Sequence, residues 1–154
     1  MRRDHRIGLV LIAALGVLGC GSSAKQEQVD RAEVEIFLEA YLPVLGEVYA
    51  TGDLSLLEGM AAEKEISRIH KRLEDLGVQG RRLVPRFHSV AVEEINVWNY
   101  SNCFVTTLEV WDLEVRATGT EQVLSTQLEQ PNRVKYQLKR EADSWRVLFR
   151  TVQQ

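Results

Sequence analysis

The amino-acid sequence predicts an α+β domain, with N-terminal helices packed on a strongly curved antiparallel sheet. Three observations point there. Between Asp30 and Leu76 apolar residues recur at helical spacing, beyond Pro85 the period falls to two among β-branched and aromatic residues, and Val134 to Thr151 matches itself as a hairpin. Helices first and strands after them form one layer against another.

The first helix starts near Asp30. Its apolar residues come in adjacent pairs, Ile36-Phe37, Ala40-Tyr41, Val44-Leu45 and Val48-Tyr49, making one broad stripe with Glu33, Glu35, Glu39 and Glu47 mostly off it. Pro43 lacks the amide that would bond the Glu39 carbonyl, so a kink or a break into two helices is expected there. Gly52 can end this helix, and the Asp53 carboxylate can cap a short second one. A third helix, about Glu63 to Leu76, lines up Ile66, Ile69, Leu73 and Leu76 before Gly77 stops it. His70 lies beside that stripe, where a partly buried packing role is expected ahead of a catalytic one.

A loop holding Gly80 and Pro85 leads into two long strands, about Phe87 to Trp98 and Cys103 to Ala117. With the turn at Tyr100-Ser101, Val97 faces Phe104 and Val90 faces Trp111. Near that turn Ile95, Val97, Phe104 and Leu108 share the apolar face, whereas farther away Val90, Val92, Trp111, Leu113 and Val115 have the opposite parity. Both strands are expected to switch together, through a bulge or a strong bend, or as a long curved hairpin that covers the helices at one end and another surface at the other. Gly119 and Thr120 turn the chain, and Glu121 to Glu129 can add strand before Pro131. In the last hairpin, a turn at Ala142-Asp143 sets Leu138 opposite Val147, Tyr136 opposite Phe149, Val134 opposite Thr151 and Arg140 opposite Trp145. Lys135, Gln137, Lys139, Arg146 and Arg150 then occupy the other face, with Leu148 its one apolar exception.

The order Phe37-Leu38-Glu39-Ala40-Tyr41, then Gly52-Asp53-Leu54, a helix, and strands ending in Tyr136-x-Leu138 and Trp145-Arg146-Val147 resembles the NTF2-like superfamily of cone-shaped α+β domains. The final portion is also similar to the domain of plastid-division ARC6-type proteins. The resemblance covers nearly all of residues 29–154 and rests on packing patterns. It implies a cone and a choice of roles: isomerases and SnoaL-like cyclases on one side, non-enzymatic adaptors on the other. A homodimer through the sheets is implied by the same likeness.

Residues 1–19 have the anatomy of an export signal. A basic start, Met1 to Arg6, is followed by an uncharged apolar stretch from Ile7 to Leu18, shorter than the roughly 20 residues that a membrane-crossing helix needs. Val17-Leu18-Gly19-Cys20 resembles the lipobox of bacterial lipoproteins. That resemblance implies cleavage before Cys20, a diacylglycerol thioether on its sulfur and acylation of the new N-terminus. Two or more acyl chains anchor stably where one binds marginally. Residues 20–28 then read as the lipidated cysteine and a flexible tether. Gly at position 21 rather than Asp favours the outer over the inner membrane of a bacterial envelope.

Removing Arg2, Arg3, Arg6 and Asp4 with the signal turns 19 basic and 22 acidic residues into 16 and 21. A mildly acidic chain of this kind lacks the basic face that nucleic-acid binding needs, and the Arg81, Arg82, Arg86 cluster reads as a solvated loop. Of two cysteines Cys20 is spoken for, so Cys103 is left unpaired, a small buried hydrophobe in a strand.

Chemistry has few candidates. Asp53 is explained as a cap, Glu109 and Asp112 are expected to be solvated strand residues, and neither His70 nor His88 has an obvious partner. Tyr41, Tyr49 and Tyr136 can donate hydrogen bonds to a ligand, but at apolar-face spacing core-filling is expected ahead of that role. There is no zinc-ligand spacing, Gly-rich phosphate loop or serine elbow, and no cofactor is expected. The expectation is a lipid-anchored envelope protein whose non-catalytic domain binds an apolar ligand or a partner protein. Trp98, Tyr100, Phe104 and Trp111 on the bent hairpin are the candidate docking residues. The alternative is a ketosteroid-isomerase-like enzyme acting in the cone.

Overall fold

A computed structural model describes residues 29–99 and 101–153. The signal, Cys20, the tether and Tyr100 lie outside them. Helix α1 (Arg31–Thr51) is followed by a short 3-10 turn (Leu54–Leu57), helix α2 (Glu63–Val78) and four strands: β1 (Arg81–Asn99), β2 (Asn102–Ala117), β3 (Val123–Glu141) and β4 (Ser144–Gln153). The strands form one antiparallel meander in the order β1-β2-β3-β4. Two helices on a four-stranded antiparallel sheet make the α+β fold that the sequence predicts.

Asp30 caps α1 by accepting the Ala32 amide at 2.9 Å, and Gly52, at φ 81°, closes it in the left-handed conformation. The helix runs unbroken through Pro43, contrary to the expected break. Pro43 and Glu39 are both exposed, so the orphaned carbonyl faces solvent, while Tyr41, Leu42 and Leu45 hold both halves to the core. The buried stripe is Val34, Leu38, Tyr41, Leu42, Leu45 and Val48, rotated from the expected pairs so that Ile36 is left 66% exposed. At Gly46 the helix comes so close to the sheet that a Cβ would sit 3.3 Å from the Pro85 carbonyl oxygen and 3.4 Å from Trp111. Asp53 caps the 3-10 turn as expected, accepting from both the amide and the hydroxyl of Ser55.

Pro85 lies inside β1 rather than in a loop, which an edge strand tolerates because its missing amide has no neighbour to bond. Similarly, β3 runs through Pro131, beyond the point where β4 stops opposite Arg133.

The expected joint switch of the first two strands is corrected. On β2 one parity stays inward throughout: Cys103, Val105, Thr107, Glu109 and Trp111 are all buried, while Leu108 is exposed. Only β1 switches. Its pairing slips at Trp98, Glu93 and His88, so that Val97, Ile95, Val92, Val90 and Phe87 all face inward partners on β2. Val97 therefore pairs with Cys103 and Val90 with Glu109.

The last hairpin keeps the expected pairs Leu138–Val147 and Arg140–Trp145, then slips. Leu148 is an extra residue, so Tyr136 pairs with Arg150 and Val134 with Val152. This bulge moves Arg150 from the outer face to the inner one and expels Phe149 and Thr151.

Candidate functional site

The inner parity of β2 carries a carboxylate into the core. Glu109 is completely buried between Thr107 and Trp111; three side chains donate to it, and the Thr107 hydroxyl has both Glu109 and the Val134 carbonyl at 3.3 Å for its one proton. Arg150 Nη2 lies 2.9 Å from Oε2, Trp111 Nε1 is also 2.9 Å from Oε2, Thr107 Oγ1 is 3.3 Å from Oε1, and the Tyr136 hydroxyl donates to Oε1. Arg150 Nε in turn donates to the Tyr136 oxygen at 2.9 Å. A buried charge needs this degree of pairing and hydrogen bonding to be tolerated. Burial raises the Tyr136 hydroxyl well above its usual range, with Arg150 opposing and Glu109 reinforcing the effect, so Tyr136 stays a protonated donor.

Beside this cluster is an apolar cleft of about 180 Å3. Leu45 and Tyr49 of α1 form one wall, Leu83, Pro85, Trp111 and Leu113 the other, and Asn132 and Arg150 supply the polar groups. Arg150 keeps 18% of its side chain exposed and so joins cleft to cluster. A broader polar groove, between α2 and the end of β4, continues from it past Tyr49, Glu65, Arg68 and Arg150. There Glu65 is 4% exposed, with Arg68 Nη1 at 3.4 Å. Burial raises the Glu65 carboxyl above its ordinary range, while Arg68 and the Arg150 backbone amide pull it down.

The sequence candidates separate. Tyr41, Trp111 and Tyr136 are core residues, Tyr41 stacking on Phe37 and meeting the Tyr136 ring edge-on at 6.5 Å. The Tyr41 hydroxyl is buried without a hydrogen-bond partner among the described residues, and burial above all raises it far above its normal range. Tyr49 is half-buried at the cleft mouth. His70 is exposed, 3.7 Å from Glu74, which corrects the packing role: Ile69 takes the buried position. His88 does have a partner. Its Nε2 is 2.9 Å from Asp112 Oδ2, and Asp112 Oδ1 accepts the Glu129 amide at 2.8 Å. The Glu129 amide first, and then His88, hold the Asp112 carboxyl below its usual range. Glu129 has φ 49° at a slip in β3, and His88 is the extra residue on β1, so Asp112 ties two bulges together. Phe104 is partly exposed on the outer face, with Lys135 Nζ 5.2 Å from its ring centroid. Trp98 is 71% exposed. The hairpin aromatics therefore form no single surface, since Trp111 points into the core.

Two residues that carry the site differ from their sequence expectation: Glu109, expected to be solvated, is buried, and Arg150, expected on the outer face, is on the inner one. A signal existed for each. The run Cys103-x-Val105-x-Thr107-x-Glu109-x-Trp111 alternates without interruption, and Leu148 breaks the polar face of β4 where the bulge occurs. Among the described residues no three His, Cys, Asp or Glu side chains are placed to hold a metal ion, and no helix is long and apolar enough to cross a membrane.

No protein-family model matches the chain, and no curated protein matches it in sequence. Solved structures do share its fold. The intermembrane-space region of the chloroplast protein ARC6 superposes with a TM-score of 0.68 over 81% of this chain and 97% of that one, at 10% identity. Two proteins of unknown function with a cystatin-like fold from Nostoc punctiforme give TM-scores of 0.47 and 0.42, at 12% and 14% identity. They cover 82% of this chain each, and 92% and 80% of their own. At these identities the likeness is one of fold.

Proposed function

We propose that this chain is a lipoprotein held on a bacterial envelope, preferentially the outer membrane, through acyl groups on Cys20, and that its cone binds rather than catalyses. One observation carries the second half. The carboxylate next to the cleft, Glu109, accepts hydrogen bonds from Arg150, Trp111 and Tyr136, has the Thr107 hydroxyl in reach, and neutralises Arg150. A general base must be free to take a proton from the substrate it faces. Glu109 has its lone pairs engaged and a guanidinium against it. The apolar walls and the two polar groups, Asn132 and Arg150, suit an occupant with an apolar body and a polar end, either a small molecule or a side chain presented by a partner.

The isomerase-like reading draws on the same residues, a buried acid and tyrosine beside an apolar cleft. It requires Arg150 to leave Glu109 during turnover. One experiment separates the two: native envelopes are solubilised in mild detergent and the protein is captured, comparing wild type with Leu83→Glu, which places a charge in the cleft wall. Binding predicts a stoichiometric protein or small molecule retained by wild type and lost from the variant. Recovery of the same species by both would contradict the cleft as the binding site.

A further inference from the structure

The start of α1 and Ser101, which follows the end of β1, lie at the same end of the molecule. Arg140 joins them: its backbone amide donates to the Ser101 carbonyl at 2.7 Å, and its Nη1 is 3.3 Å from Glu33 Oε2 in the first turn of α1. The Arg31 guanidinium also donates to the Val92 carbonyl. Residues 20–28 reach roughly 30 Å when fully extended. The sheet is longer, since the 19 residues of β1 rise on the order of 60 Å along the strand. With α1 starting beside Val92 and tied through Arg140 to Ser101, a tether of that length brings the Ser101 end within reach of the lipid that holds Cys20.

Among the described residues of this turn, one large apolar side chain is exposed on a stiff mount. Trp98 is the residue left out of the ladder between the pairs Val97–Cys103 and Asn99–Asn102, and it is 71% exposed. The Asn99 carboxamide oxygen holds the turn behind it, accepting from the Ser101 amide at 3.0 Å and from Asn102 Nδ2 at 2.9 Å. Among the described residues, several cations nearby are paired, Arg31 with Glu35, Lys139 and Arg146 with Glu141, and Arg140 with Glu33, while Lys135 lies over the Phe104 ring.

We infer that Trp98 is a membrane-contacting tip, which seats the domain on the bilayer surface that holds Cys20. The inference rests on the lipid anchor proposed above. A tryptophan suits the interfacial zone, where its ring is buried and its N–H stays wet. Tethering raises its effective concentration at the surface to the millimolar range, so a weak insertion is enough to fix the orientation. With Arg31, Lys139, Arg140 and Arg146 paired, the inferred contact rests on the apolar ring and not on anionic lipid.

The mature chain, residues 20–154, coupled through Cys20 to a maleimide phospholipid in phosphatidylcholine vesicles, provides the test whether or not cells acylate that cysteine. Cys103 is buried, and burial pushes its thiol up to about 11, so coupling is confined to Cys20. Of the three tryptophans, Trp111 and Trp145 are each 4% exposed, so a change in emission reports Trp98. The coupled chain should show a blue-shifted emission relative to the uncoupled chain. It should be quenched by brominated acyl chains, in high salt as in low, and Trp98→Phe should abolish both effects. Emission that stays at its water-exposed wavelength and is unquenched would overturn the inference. Contact seen only with anionic vesicles and lost in salt, or shielding of Trp98 only by added envelope proteins, would overturn it too. Loss of acylation in cells would defeat the anchor reading while leaving the vesicle result intact.

Discussion

Glu109 and Arg150 show how one inserted residue decides the interior. Without Leu148 in the ladder, Tyr136 would face Phe149 and Glu109, carried inward by β2, would have no cation beside it; with it, a guanidinium faces Tyr136 and the buried carboxylate becomes tolerable. Arg150 was hard to read because side-chain parity inverts at a bulge, and nothing in residue type marks an Arg as inward. The alternation on β2 that carries Glu109 inward was legible in principle; what obscured it was Phe104 and Leu108, apolar residues on the outer face. Each partner of this pair protects the other. Glu109→Leu and Arg150→Met should each cost about 3 kcal/mol, the lower end for breaking a buried pair because Arg150 keeps some solvent contact. The double variant should lose less than either single one in urea unfolding, since it leaves no unpaired charge. Strictly additive losses would show that the two residues do not act as a pair.

At the scale of elements, the helices and the last hairpin turn could be read from caps and polarity, whereas the ends of the strands could not. Asp30, Gly52 and Asp53 act locally, and each does what its type and position dictate. Pro85 and Pro131 were read as strand boundaries because a central strand excludes proline, yet both sit where one side of the strand has no partner, a fact of topology and not of local sequence. Helix α2 brings its own test. Its Glu65 carboxyl is raised by burial, so the folded state holds that proton more tightly than the unfolded state, whose carboxyl titrates near ~4.3. This support for the fold is complete below that value and is lost as pH rises through the higher folded one. Glu65→Gln cannot lose it. The stability of the variant relative to wild type should therefore grow from about pH 4 to about pH 7, read from urea midpoints at each pH. A difference that is flat or falls with pH would mean that Arg68 outweighs burial.

Across the whole molecule, the two functional ends are opposed. The first turn of α1 lies at the Ser101 end, and Leu45 and Tyr49, which wall the cleft, lie on its far half, roughly 25 Å along the axis. A domain seated on lipid by its Trp98 end keeps the cleft open to the aqueous compartment, where a ligand or partner can enter. Everything in this arrangement depends on the acyl anchor, which sequence pattern alone supports. Intact-mass spectrometry of the native protein, extracted from membranes, tests it directly. The predicted species begins at Cys20 and carries the mass of a diacylglycerol thioether with an acylated amine. An unmodified chain retaining residues 1–19, recovered from the soluble fraction, would contradict it.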